Sequence, residues 1–255
     1  MDEKIEVFGE VIPEAYEDGL KPVVQETGKT VALIPRAINA ALAPLRQWIA
    51  QKEYNVAETE KLLAIKLKNV DIEQIATPEA YVAVPAIQAI AYSMDSKELR
   101  EMYASLLATS MMKDEKWKVH PSFVEIIKQL TPDEAKLLKR ICAEGTTHPL
   151  IDIHLEVPEG GYRVEIHNFS TLANNTCEEP DNICAYIDNL ARLKLIDIPN
   201  GVLIHNNDIY EELESYPEVK RMMEEPLAEG YKRKIERRVF ELTQYGKNFA
   251  EVCLK

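Results

Sequence analysis

Apolar positions along this chain of 255 residues recur at helical spacing up to about residue 130, and beyond it short alternating runs intervene. After a polar lead-in over residues 1–20, Val31, Leu33, Ile34, Ile38, Leu42, Leu45, Trp48 and Ile49 recur at that spacing in an alanine-rich stretch. Arg36 is the only charge between Thr30 and Leu45. Pro35 and Pro44 interrupt the stretch, which falls short of the ~20 apolar residues a membrane span needs. Residues 23–50 therefore predict a buried or self-associating helix pair and no stable membrane insertion. Residues 55–75 predict an amphipathic helix with a break near Asn69. Thr77-Pro78-Glu79 then has the signature of a helix start: a capping hydroxyl, a proline where a missing N–H costs nothing, and an acid at the positive end of the dipole. The stretch Tyr81–Tyr92 is apolar on most sides, with Pro85 expected to end or kink it. Ser96 caps a helix from Lys97 to about Met112, in which Leu99, Met102, Tyr103, Leu106 and Leu107 share a face and Ala104 and Ala108 allow close approach.

Pro121 opens a short helix, and Thr131-Pro132-Asp133-Glu134 combines a capping box with proline at the first helical position. This is the cleanest helix start in the chain, and it is the expected division between a helical domain, 1–130, and a second domain, 131–255. After the helix 132–143, the alternating runs Ile151–Val157 and Tyr162–Asn168, joined by Pro158-Glu159-Gly160-Gly161, predict a β-hairpin. Ser170–Asn174 suggests a short helix, and Pro180 opens a longer one through Lys194. A strand-like Leu195–Pro199, a turn at Asn200-Gly201 and Val202–Ile204 follow. Residues 206–230 are a polar, helix-containing insertion, Ile235–Thr243 a strand and Gln244–Leu254 a closing helix. That order is the order of a winged helix. The expected fold class is mainly α with small β, an N-terminal helical domain plus a C-terminal winged-helix-like α+β module.

Composition narrows the function classes. Forty-six per cent apolar and 29% charged residues are ordinary globular values. Cys142, Cys177, Cys184 and Cys253 are too scattered for a disulfide framework, and the acidic start Met1-Asp2-Glu3-Lys4 is unlike a signal peptide, so a cytoplasmic location is expected. The net charge of −13 is spread over both halves, with 15 basic against 20 acidic residues up to 130 and 15 against 23 after it. A negative field opposes the counterion displacement by which Lys and Arg bind nucleic-acid backbones.

Candidate chemistry is sparse. Among His120, His148, His154, His167 and His205, His154 and His167 face each other across the expected hairpin, and Cys142 and His148 lie six apart. No short ligand pairs of the zinc-site kind occur, so no metal or other cofactor is expected. No nucleophile elbow, phosphate loop or dinucleotide fingerprint is present, and a non-enzymatic protein is expected. The sharpest candidate is a basic run placed where a wing would be: Lys232, Arg233, Lys234, Arg237 and Arg238. It is a candidate interaction surface, suited to a phosphate backbone or to acids of the 206–230 segment such as Glu211, Glu212, Glu214, Glu224 and Glu225. The preceding helix has Glu178, Glu179 and Asp181 at its start and Asp188 further on, where phosphates would approach a recognition helix. A protein partner is therefore favoured over nucleic acid.

Two segments carry a family resemblance. Ser96-Lys97-Glu98-Leu99-Arg100-Glu101-Met102-Tyr103-Ala104-Ser105-Leu106-Leu107-Ala108, followed by residues 119–135 with His120-Pro121-Ser122-Phe123 as their most specific part, resembles the bacterial abortive-infection alpha family. Ile12 to Pro22 is similar to that family's lead-in, and the likeness covers most of residues 11–200. It implies a bacterial cytoplasmic protein of phage (antiviral) defence with no established catalytic residues to carry over. His120 or a neighbour is then expected to cap the helix that Pro121 starts, with Phe123 docked in the core, or the same residues form a contact surface. The expectation is a non-enzymatic phage-defence or interaction protein with a protein partner or self-association. The alternative is a winged-helix DNA-binding regulator using the run 232–238.

Overall fold

A computed structural model describes residues 59–92 and 96–255, apart from the side chains of Ile72, Ala91 and Tyr92. The lead-in and the apolar stretch 23–50 lie outside the described residues. Within them the chain is mainly helical with one small antiparallel sheet.

The first layer is helical. Helix α1 covers residues 59–67 and ends in a turn at 68–70, where a break is expected near Asn69. Helix α2, Ala80–Tyr92, begins two residues later than the Thr77-Pro78 signature predicts, with Glu79 supplying the first accepting carbonyl. It also runs through Pro85 instead of ending there. Burial of Val82, Ala83, Ala86, Ala89 and Ile90 on one side offsets the lost hydrogen bond. Helix α3, Lys97–Met111, starts where Ser96 Oγ accepts the Leu99 amide at 3.2 Å. It is the hub of the layer, packed against α2, α4 (Ser122–Lys128), α5 (Pro132–Glu144) and α9 (Gln244–Cys253). Ala104 and Ala108 are almost fully buried, which lets neighbouring backbone approach: Thr109 Oγ1 donates to the Val252 carbonyl at 3.4 Å.

The start of α4 is built by the His-Pro-Ser-Phe segment. The N-cap position is Pro121, which makes no side-chain cap; His120 Nδ1, one residue earlier, accepts the Ser122 amide at 3.2 Å, while Phe123 sits edge-on to Phe249 with centroids 5.2 Å apart. Helix α5 has the expected capping box: Thr131 Oγ1 accepts the Glu134 amide at 3.2 Å and the Glu134 carboxylate accepts the Thr131 amide at 2.6 Å. One apolar cluster includes residues on both sides of Thr131, from Val82 to Cys253.

The sheet has strand order β2-β1-β4-β3, with β1 Thr147–Glu156, β2 Tyr162–Phe169, β3 Ile196–Asp197 and β4 Lys232–Leu242. Gly160 and Gly161, at φ 91° and 89°, make the β1–β2 connection. Two expectations differ here: residues 171–176 form turns in place of a helix, and residues 202–204 are not a strand. The basic run lies inside β4, which begins three residues before the expected Ile235. Helix α6, Ile183–Arg192, lies against β2, with a short 3₁₀ turn at Pro180–Asn182 before it. The expected insertion holds α7, Asp208–Glu214, and α8, Pro217–Glu224. These cover one face of the sheet through a second apolar cluster of Ile151, Ile153, Tyr210, Leu213, Val219 and Val239.

Candidate functional site

Successive side chains of a strand point to opposite faces, and β4 uses this to divide its basic run. Arg233 stands opposite Leu155 and Arg237 opposite Ile151, on the face covered by α7 and α8. Lys232, Lys234 and Arg238 stand opposite Glu156, His154 and Leu150, on the other face. A sequence run that looks like one patch is therefore two half-sets with different surroundings.

The arginines are engaged within the fold. Arg233 Nε donates to Glu165 at 2.6 Å, and its Nη atoms reach the Met222 carbonyl at 2.6 Å and Glu225 Oε2 at 3.1 Å. Hydrogen bonding from Arg233 holds the Glu165 carboxyl below the usual carboxylate range despite its burial. Arg237 Nε donates to Glu214 at 2.5 Å, its Nη1 donates to Asn207 at 2.9 Å, and its guanidinium lies 5.2 Å from the Tyr210 ring centroid. Of the acids proposed from the sequence as partners of the run, Glu214 and Glu225 are the ones brought to it. Lys232 and Lys234 are exposed and make no ion pair with any described residue.

Arg238 belongs to a network that no sequence motif announces. Its Nη1 donates to Asp152 Oδ2 at 2.8 Å, and the same buried carboxylate accepts the Asn168 amide at 2.7 Å. His167 Nδ1 lies 3.1 Å from Asp152 Oδ2, and His154 Nε2 3.9 Å. Asn168, held at φ 57°, donates from Nδ2 to Asp188 Oδ1 of α6 at 2.8 Å. His154 Nδ1 lies 3.3 Å from Glu236, and its ring stacks on Tyr162 with centroids 4.2 Å apart. The two hairpin histidines thus converge on a carboxylate, and no group of three or more His, Cys, Asp or Glu among the described residues is arranged to hold a metal. A buried carboxylate with several donors is stable only as a satisfied set, so this network fixes β1, β2, β4 and α6 relative to one another. The signal available in the sequence was Asp152 and His154 alternating with Ile151 and Ile153, a polar face on an otherwise apolar strand.

The acids at the start of α6 are also held in place. Asp133 accepts the Glu178 and Glu179 amides at 3.0 Å and the Tyr186 hydroxyl at 3.2 Å. Burial raises its carboxyl, but these bonds and Lys136 outweigh that and bring it below the ordinary aspartate value. Glu178, Glu179 and Asp181 are thereby fixed on the outside. The thiols are unsuited to nucleophilic work at neutral pH. Burial pushes Cys142 and Cys177 to about 11, and raises Cys184 and Cys253. Cys142 makes no hydrogen bond with His148, whose Nε2 lies 3.1 Å from the Ile141 carbonyl.

A family model described as abortive infection alpha matches residues 51–253. The matched region extends past residue 200, where the resemblance was expected to stop, and does not include the lead-in of residues 12–22. Among solved structures, an uncharacterized protein from the hydrocarbon-degrading marine bacterium Alcanivorax borkumensis SK2 is 16% identical, over 56% of this chain and 96% of its own, with a TM-score of 0.34. A likeness that low carries nothing further. No curated protein matches the chain.

Proposed function

Because this chain belongs to the abortive infection alpha family, we propose that it serves phage defence by contacting another protein and not by catalysing a reaction. The supporting observation is the neutralisation of the basic run. Arg233, Arg237 and Arg238 are matched to Glu165, Glu225, Glu214 and Asp152 inside the fold, and fixed carboxylates surround the start of α6. A phosphate backbone would meet acids there, and the arginines have no charge left to offer it. The strand order β1-β4-β3, with α5 before it and α6 leading into β3, supports reading residues 131–255 as a winged helix. To that plan are added the strand β2 and the insertion α7–α8. The open sheet face, with exposed Tyr162, Val164, Lys232 and Lys234, is the contact surface in this reading.

The second reading, a DNA-binding regulator, draws on those two unpaired lysines. One experiment separates the two. In a bacterial host the chain is expected to reduce phage yield, and Lys232→Glu with Lys234→Glu is expected to abolish protection without lowering the melting temperature. The purified protein is expected not to retard duplex DNA at low salt. Retardation that weakens with added salt and disappears in the double variant would replace the protein-contact reading with the DNA one. Protection unaffected by the substitutions would move the contact off this face.

A further inference from the structure

Beneath α2, between α3, α4 and the start of α5, lies a cavity of about 720 Å³ that is built from helices alone and is separate from the sheet. Its size falls within the ~300–1,000 Å³ typical of small-molecule sites. Ala89, Leu99, Ile127 and Leu130, each at least nine-tenths buried, form its apolar walls. Tyr103 also lines it and is only 1% exposed, and its hydroxyl makes no hydrogen bond to a described residue.

We propose that this cavity is a binding site for a small, uncharged, mainly apolar molecule carrying one oxygen acceptor, to which Tyr103 Oη donates. The walls supply the affinity and the hydroxyl supplies the orientation, which is the usual division of labour in such sites. An uncharged ligand fits because the cation at the rim, Lys128, is already matched to Glu125 at 2.7 Å. A carboxylate driven inward would lie among apolar side chains without a counter-charge. Burial raises the Tyr103 hydroxyl well above the usual phenol range, which keeps it a donor at every physiological pH.

The test uses Nile red, a neutral, largely apolar dye with one ring carbonyl, titrated into the full chain and followed by fluorescence. Saturable one-to-one binding with a blue-shifted emission is expected. Tyr103→Phe, which removes a single oxygen, is expected to weaken binding about five-fold, the size of one neutral hydrogen bond. It is also expected to leave the dye-free melting temperature unchanged or higher, whereas a tyrosine with only a structural role would lower it. Ala89→Leu, which fills the cavity, is expected to abolish binding. Absence of saturable binding, or equal affinity in wild type and Tyr103→Phe, would overturn the proposal. The tyrosine variant decides the matter even if Ala89→Leu does not fold.

Discussion

At the scale of single residues the most consequential side chain is Asp133, which does more than acidify the first turn of α5. Its carboxylate holds two consecutive backbone amides and a tyrosine hydroxyl from the approach to α6. Both Asp133 oxygens lie 3.0 Å from the Glu178 amide, so in either orientation of Asp133→Asn the new NH2 group sets a donor against that part-buried donor. The expected cost is about 1–3 kcal/mol near neutral pH, measured by urea unfolding. The pH dependence has a defined sign. The folded carboxyl titrates below its unfolded value of 3.8, so its contribution is complete above that value and is lost as pH falls through the lower, folded one. The gap between wild type and variant is therefore expected to narrow in acid. Half of this residue's role was legible in the sequence. The Thr131–Glu134 capping box is a local pattern of four neighbours, and it forms as the sequence predicts. The bonds to Glu178 and Glu179 are not local, and nothing in the spacing of residues announces which distant amides a carboxylate will hold.

The elements show the same division between local and distant causes. Alternation predicted the β1–β2 hairpin, and apolar periodicity predicted α3, because each pattern is contained in the element itself. Pro85 misleads for the opposite reason: a helix with enough buried apolar surface on one side survives the loss of a single hydrogen bond. The basic run is split between two faces because its strand pairs with β1, whose apolar residues Ile151 and Ile153, opposite Arg237 and Ile235, lie far back in the chain. The junction of β4 and α9 turns on Gly246, which no motif singles out. A Cβ at that position would come within 1.9 Å of the Leu195 carbonyl oxygen. The obstacle is backbone, and Thr243 binds the same segment through its amide at 3.1 Å and its hydroxyl at 2.6 Å from Lys194 O, so neither side is free to move away. Gly246→Ala is expected to destabilise by about 3 kcal/mol or more, an overpacking cost, whereas an alanine at most first-turn helical positions is neutral or favourable. A melting temperature within a degree or two of wild type, on the order of the ±0.5 kcal/mol typical of neutral surface changes, would show that the junction is not rigid.

At the scale of the molecule the question is where a chain with net charge −13 finds a partner that tolerates its field. No helix among the described residues is long and apolar enough to cross a membrane. Residues 52–255 form a compact unit of their own, whose main apolar cluster starts at Val82. The nearly uncharged stretch 30–45 lies outside that unit, and its apolar spacing is the sequence's best argument for self-association. Light scattering of the full chain is accordingly expected to give an oligomer. A chain beginning at Lys52 is expected to give a monomer that keeps one cooperative thermal transition, since it retains the residues that build the core. Monomers in both cases would remove self-association. A shortened chain that remains oligomeric would shift the interface to the described surface. There the exposed Tyr81, Val84 and Ile87 of α2 are the apolar residues to replace first, because a helix buried on one side and apolar on the other has a face to cover.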